Sequence, residues 1–327
     1  MKKFLDTIIN GDCIEILGKI SEPFADLIFA DPPFNIGYKY DKYNDKQKRE
    51  NYIAWTKEWM SVCKKVLNPC GSFYIAIGDD YAANVKVIAD DIGLVMRNWI
   101  IWHYTFGQQT KDKFARSHTH IFYFSNDKKN FTFNDYAVRV PSDRQLLYND
   151  KRANPTGKMP DDVWNTYPRV CGTFKERAGW HPCQMPESLL KRIISVSSNP
   201  DDCVLDPFSG SGTTAAAALQ LGRHYVGIEI SEQYVGNAKK RLNELNKRPK
   251  TQDKRQKTCL WSEVCSLTSE EIDEFSRLAL DTGKTLKEIA ADKNLTKLFA
   301  NQFSVRMKNE KQYSEQDILI LSELADK

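Results

Sequence analysis

The chain has little of what marks a metal site, a secreted scaffold or a membrane protein. Its eight cysteines (Cys13, Cys63, Cys70, Cys171, Cys183, Cys203, Cys259 and Cys265) include no Cys-x-x-Cys pair. Their spacing therefore indicates neither a zinc site nor a disulfide framework, and they read as reduced, intracellular thiols. The five histidines, His103, His118, His120, His181 and His224, read as structural, and no metal is expected. No stretch approaches 18 uninterrupted apolar residues, and the N-terminus reaches Asp6 before any signal-like run. No membrane contact is expected, and the expected location is the cytoplasm. Charge of one sign is lacking too: a formal net charge of +4 does not demand a polyanionic partner. The basic residues are locally clustered, however, and clusters steer nucleic acid. What is present is 327 residues with 41% hydrophobic content, enough for one large domain or two smaller ones.

The most informative stretch is Ala30-Asp31-Pro32-Pro33-Phe34, which follows the apolar run Ala25-Asp26-Leu27-Ile28-Phe29. That order reads as a buried strand stopped by two prolines, which cannot donate to a ladder. Asp31 then sits at the carboxyl edge of a sheet, where open α/β sheets keep their ligands. A carboxylate, a turn carbonyl and an aromatic face make a receptor for a planar amine. The bland alternative is a strand-ending turn with a capping Asp.

Taken in order, Thr7-Ile8-Ile9 reads as a brief strand closing on Asn10-Gly11-Asp12-Cys13, with a short helix after it. Tyr38 to Lys46 mixes Lys with Tyr and has no period, suiting phosphate contact and base stacking or simply a solvated loop. A helical face runs from about Asn51 to Leu67 and ends at Pro69 and Gly71. Strands over 72–77, Leu94–Tyr104 and 119–124, with a helix over Asp80–Asp91, follow. Gly107 to Ser117 is a long polar loop. Residues 127 to 180 are rich in Pro, Asn and charge with isolated aromatics, and read as a loop-rich insertion, either substrate-reading or decorative.

The second informative stretch is Cys203-Val204-Leu205-Asp206-Pro207-Phe208-Ser209-Gly210-Ser211-Gly212-Thr213-Thr214, running into Ala215-Ala216-Ala217-Ala218, with Tyr225-Val226-Gly227-Ile228-Glu229 next. Strand, glycine turn, helix and strand make a nucleotide-binding βαβ unit, and Glu229 lies about 20 residues after Gly210, the spacing that suits ribose hydroxyls. The carboxylate of Asp206 argues against a pyrophosphate and suits an amino-acid end, as in S-adenosylmethionine.

Together, Asp-Pro-Pro-Phe, the glycine turn and His181-Pro182-Cys183-Gln184-Met185-Pro186, in this permuted order, resemble the β group of DNA amino-methyltransferases over about residues 7 to 245. The resemblance implies a seven-stranded Rossmann-like α/β sheet with circularly permuted motifs, a target-recognition region at about 127–180 and a catalytic domain over 1–246. It implies S-adenosyl-L-methionine as cofactor, with Asp12 and Cys13 toward its adenine, Glu229 toward its ribose, and Asp206, Pro207, Phe208, Ser209, Gly210, Gly212 and Thr213 toward its methionine end, near Asp31. It implies Asp31, Pro32, Pro33 and Phe34 as the catalytic stretch, acting on a base flipped from double-stranded DNA. Asp before the proline pair resembles the adenine-N6 group more than the cytosine-N4 group, which usually carries Ser. Cys183 and Met185 depart from the family's usual Thr and Lys. A homodimer and a cognate restriction enzyme are further partners left open.

Beyond this lies a basic linker, 247–262, and a helical domain, 263–327, with a capping box at Thr268-Ser269-Glu270-Glu271. Its 285–307 stretch reads as a helix-turn-helix, or equally as a dimerisation or packing bundle. Competing readings for the whole are a cytosine-N4 or RNA methyltransferase, a non-catalytic DNA-binding regulator, and a nucleotide-dependent oxidoreductase.

Overall fold

The computed structural model describes residues 4–105, 110–172, 174, 176–247, 267–308 and 311–325. The chain divides into two compact units, Met1–Phe133 with Asp162–Leu245, and Asn134–Asp161 with Asn246–Lys327. The segment 127–180 is thus shared between them. Most of the 247–262 stretch, residue 106 and residues 107–109 of the long polar loop lie outside the described residues. No described helix is long and apolar enough to cross a membrane.

The first unit is one mixed sheet flanked by helices. Its strands are β1 (Thr7–Asn10), β2 (Ala25–Ala30), β3 (Leu67–Ile77), β4 (Val95–His103), β5 (His118–Ser125), β6 (Val163–Trp164), β7 (Cys203–Asp206) and β8 (His224–Glu229). They lie in the order β1-β8-β7-β2-β3-β5-β4-β6. The first five in that order run parallel, and β5 is antiparallel to both β3 and β4. The seven expected strands are all present; the eighth, β6, is a two-residue addition beside β4. Pairing of β1 with β8 sets the N-terminus beside the cofactor-type βαβ unit, which is how the permuted order still yields a complete sheet.

The parallel strands are buried on both faces, so they read as continuous apolar runs. Leu27, Ile28, Phe29 and Ala30 have no more than 1% exposure. Helices α1 (Cys13–Gly18), α2 (Arg49–Val66) and α3 (Asp79–Asp91) follow β1, precede β3 and follow β3. In α2 the buried residues Tyr52, Thr56, Trp59, Met60, Cys63 and Val66 recur at helical spacing and form the inward face. A short α4 (Asp143–Leu146) belongs to the second unit; α5 (Glu187–Ser197), α6 (Thr213–Gln220) and α7 (Glu232–Lys247) complete the described helices up to residue 247. The buried small residues Ala215–Ala218 let α6 lie close on the sheet. One boundary differs from expectation: β3 starts at Leu67, directly after α2, and includes Pro69 and Gly71. Here the register with β2 shifts between Ala25 and Leu27, and an irregular strand start tolerates a proline.

The second unit holds α8 (Ser269–Thr282), α9 (Leu286–Ala291), α10 (Lys293–Met307) and α11 (Glu315–Ala325). Thr268 and Thr285 form capping boxes with Glu271 and Glu288. Phe275, Leu278, Ile289, Phe299, Phe303, Ile318 and Leu321 form its core. The 134–161 segment is tied into this bundle by buried polar groups. Arg306, whose side chain is 1% exposed, pairs with Glu274 and Asp281 and donates to the carbonyls of Arg139 and Val138. Gln302 donates to the carbonyls of Arg139 and Thr156.

Arg306→Met should destabilise the second unit by roughly 3 kcal/mol, the low end of the cost of breaking a buried ion pair, because Arg277 also faces Glu274. Native-state hydrogen exchange of the α8 and α10 amides is the check; a loss under about 1 kcal/mol would show that Arg306 is not the clamp.

Candidate active site

Parallel pairing of β2 with β7, Leu27 opposite Val204 and Ile28 opposite Leu205, brings the two informative stretches together. Asp31 follows the last residue of β2 and Asp206 is the last residue of β7, so two acids leave the same sheet edge from adjacent strands. They line one cavity of about 1050 Å³ with Asp12, Cys13, Pro32, Pro33, Phe34, Pro207, Phe208, Ser209, Gly210, Thr213 and Glu229. Of the residues expected to touch the cofactor or the base, Gly212 alone lies off this lining. It caps α6 at φ +72°, and a Cβ there would press on Ala238.

The Asp-Pro-Pro-Phe turn is fixed from several sides. Tyr52, from α2, donates its hydroxyl to the Pro33 carbonyl at 2.6 Å. Asn35, at φ +57°, is held by buried Asp45, which accepts from the backbone N–H groups of Asn35, Ile36 and Tyr38. The tyrosine-rich stretch therefore folds back as an ordered loop, pinned by Ser231 donating to Asp41 at 2.6 Å. Ile36, Tyr38, Tyr40 and Tyr43 join the cavity wall. Phe34 lies against Gly78, where a Cβ would come within 3.2 Å of its ring.

The Asp31 carboxyl is raised to about 7, chiefly by burial and then by neighbouring Asp206, with Arg169 opposing the rise. Asp206 is also pushed to about 7, chiefly by burial, although Thr214 and the Phe208 N–H favour its charged form. Glu229 accepts from the Gly210 and Ser231 N–H groups at 2.8 and 2.9 Å, and burial raises it. Asp12 caps α1, accepting from Ile14 and Glu15. Cys13 beside it is buried, with its thiol raised to about 12, and so stays protonated.

The glycine turn is crowded: Gly210 is at φ +45°, and a Cβ there would come within 2.8 Å of His181 Nε2. His181 is lowered to about 4 by burial and is neutral. Cys183 lies beside Tyr40 and is raised to about 11, mainly by burial and then by Asp31. Sequence spacing missed Arg169. Trp102 holds its neighbourhood by donating its indole N–H to the Tyr167 carbonyl at 2.8 Å, and the Arg169 guanidinium lies 5.7 Å from the Tyr104 ring centroid. No local period could signal a residue brought in from an irregular segment.

Asp79, His118 and His120 cluster at the cavity's edge. Asp79 Oδ1 lies 3.4 Å from His118 Nε2 and 3.2 Å from His120 Nε2, and Arg116 pairs with Asp79 and Asp80. The Trp99 indole, a donor only, gives its N–H to His120 Nδ1 at 2.9 Å. Neutral His120 therefore carries its proton on Nε2, toward Asp79, and the three residues form a hydrogen-bonded cluster.

The profile of the N6/N4-type DNA methylase family matches residues 25–240. M.HpaI, a type II methyltransferase of Haemophilus parainfluenzae, is 35% identical over 254 residues, 77% of this chain and 79% of its own. YhdJ, a DNA adenine methyltransferase of Escherichia coli K12, is 39% identical over 247 residues, 72% of this chain and 82% of its own. Among solved structures, the PvuII DNA methyltransferase, named as cytosine-N4-specific, superposes with a TM-score of 0.55 at 18% identity, covering 85% of this chain and 93% of its own. Two acid-bearing strand ends meet here around one glycine turn, and the family profile spans both: the chain belongs to the N6/N4 DNA methylases.

Proposed function

We propose that this protein transfers the methyl group of S-adenosyl-L-methionine to the exocyclic N6 of adenine in double-stranded DNA, in the cytoplasm, on a base swung out of the helix into the cavity. The observation that carries the reading is the meeting of Asp31 with the Gly210 turn and Glu229 in one cavity. The relative named as an adenine methyltransferase supports adenine, as does Asp31 in place of the Ser usual to the cytosine-N4 group. A cognate restriction enzyme is supported by relatives named type II methyltransferases.

The donor set fits the cofactor. Its ammonium and ribose hydroxyls call for acceptors, and Asp206, Glu229 and Asp12 supply carboxylates along one wall. Ser209 Oγ and His181 Nδ1 are buried there without a hydrogen-bond partner among the described residues, as polar groups awaiting a ligand would be. When bound, the cofactor supplies a methyl group on a positively charged sulfur. The chain's own task is to make a poor amine nucleophile reactive. Tyr52 occupies the Pro33 carbonyl, so the amine's two hydrogens go to the Asp31 carboxylate and the Pro32 carbonyl. Held this way, the nitrogen is pyramidal and its lone pair points away from both acceptors. Phe34 stacks on the base. One proton must leave the methylated amine, and a carboxylate titrating near neutrality is suited to take it.

The direct test is incubation of the protein with methyl-labelled cofactor and mixed-sequence duplex DNA, followed by nucleoside analysis. N6-methyladenine is expected; N4-methylcytosine would overturn the base assignment. Asp31→Ala should cut turnover by about 10²–10³-fold, in line with loss of one transition-state acceptor, with cofactor affinity little changed; near-normal turnover would remove Asp31 from the chemistry. Phe34→Ala should cost about 1–3 kcal/mol through lost stacking, read as weaker binding of DNA whose target adenine is mismatched. Asp31 is the stronger acceptor, and the one able to take up a proton, when ionised, so turnover should rise with pH through about 7 and level off above it. Asp206→Asn, assayed at saturating cofactor, should move that limb to lower pH by removing a like charge. A flat profile from pH 6 to 8.5 would contradict the assignment.

A further inference from the structure

The second unit contains a groove of about 350 Å³ between the loop after α4 and helix α10. The family profile ends at residue 240, so α10 lies outside it. Asn149, Asn294 and Asn301 line the groove, and no hydrogen bond to another described residue engages their side chains. Asn294 and Asn301 share a face of α10 with exposed Lys297, at helical spacing. Seven residues of helix span about 10 Å, close to three base-pair steps.

The rim is basic, and its acids have partners. Asp150 pairs with Arg144 and Arg152. Asp292 caps α10, accepting from Asn294 and Leu295 N–H groups. Lys151, Lys293 and Lys297 are exposed beside them. At the loop's tip Leu147 and Tyr148 are 68% and 76% exposed, an apolar and aromatic pair set among amides and cations. Carboxamides match the donor and acceptor edge of adenine in the major groove, lysines match phosphates, and an exposed aromatic–aliphatic pair matches base faces or sugar edges. Leu146, Ala153, Pro155, Leu295 and Leu298 also line the groove, apolar groups suited to sugar edges and thymine methyls.

We propose that this groove reads the sequence of duplex DNA, with Asn294 and Asn301 on base edges and Lys151 and Lys297 on phosphates. The C-terminal helices are then part of substrate recognition: Arg306 and Gln302 hold the reading loop's segment onto the helix that reads beside it. The proposal rests on the DNA-methylating reading above.

The test uses the full chain. Methylated positions are mapped on plasmid DNA treated with the wild-type protein, and a labelled duplex carrying the recovered site is titrated against an unrelated duplex over a range of KCl. Asn294→Ala and Asn301→Ala should each reduce the preference for the site by about 5- to 150-fold, the worth of one bidentate base contact. Lys151→Ala and Lys297→Ala should weaken both duplexes alike and flatten the slope of log K against log salt by about 1 each. All four side chains are at the surface or on the groove wall, and unchanged thermal unfolding confirms that each variant is folded. Folded variants with wild-type preference and wild-type salt slope would overturn the groove as a reader while leaving the methyltransferase reading intact. A wild-type protein that binds S-adenosylmethionine but methylates no DNA would overturn both.

Discussion

The pairing of β2 with β7 is the constraint on which the rest of the first unit depends. Four residues make that contact, Leu27 with Val204 and Ile28 with Leu205, yet it sets two carboxyl groups at one sheet edge. Burial there resists ionisation, and both Asp31 and Asp206 are raised toward neutrality, Asp31 further by Asp206 and Asp206 by Glu229. The fold tolerates this because the groups that favour the charged forms come from elsewhere: Arg169 for Asp31, and Thr214 with the Phe208 N–H for Asp206. A slip of β2 by one residue would point Leu27 and Phe29 to the opposite faces and take Asp31 out of line with the glycine turn. The buried apolar run that specifies the register is therefore also what places the chemistry.

Rigidity around Asp31 has the same layered origin. Two prolines limit the turn's backbone, Tyr52 ties down the second carbonyl, and Asp45 gathers the N–H groups of the residues that follow. Tyr52 and Asp45 thereby satisfy backbone groups that would otherwise be stranded at the protein's interior edge. In the proposed reaction their joint effect is orientation: an amine held by two fixed acceptors needs no strong base to become a nucleophile, and most of the rate can come from positioning.

Much of this was legible from residue order. Continuous apolar runs ending in Asp31 and Asp206 revealed buried parallel strands and the edge where ligands belong, and the Thr268 capping box marked the start of α8. Three features were not legible, each for a physical reason. The start of β3 at Leu67 hides behind Pro69 and Gly71, which read locally as a break but are accommodated where the register with β2 shifts. Arg169 arrives at the cavity from an irregular segment held by scattered contacts such as the Trp102 indole on the Tyr167 carbonyl, and such contacts leave no period in the sequence. The union of 134–161 with the C-terminal helices depends on Arg306 and Gln302 recognising backbone carbonyls. Carbonyls are common to every residue, so no side-chain pattern in the receiving segment announces the partner.

The neutral-range titration of Asp31 also bears on how one group serves two stages of the proposed reaction. An ordinary carboxylate, ionised far below neutrality, accepts a hydrogen bond well but keeps a proton poorly. A fully desolvated one would stay protonated, accept the amine hydrogen only weakly and have no room for the released proton. Between those limits a carboxyl near 7 can accept the amine hydrogen before transfer and keep the proton released after it, with little free energy lost at either stage. Arg169 sets the balance from one side, burial and Asp206 from the other. The composition of the cavity wall, and not the aspartate alone, thus determines whether the strand end works as a passive cap or as the centre of a methyl transfer.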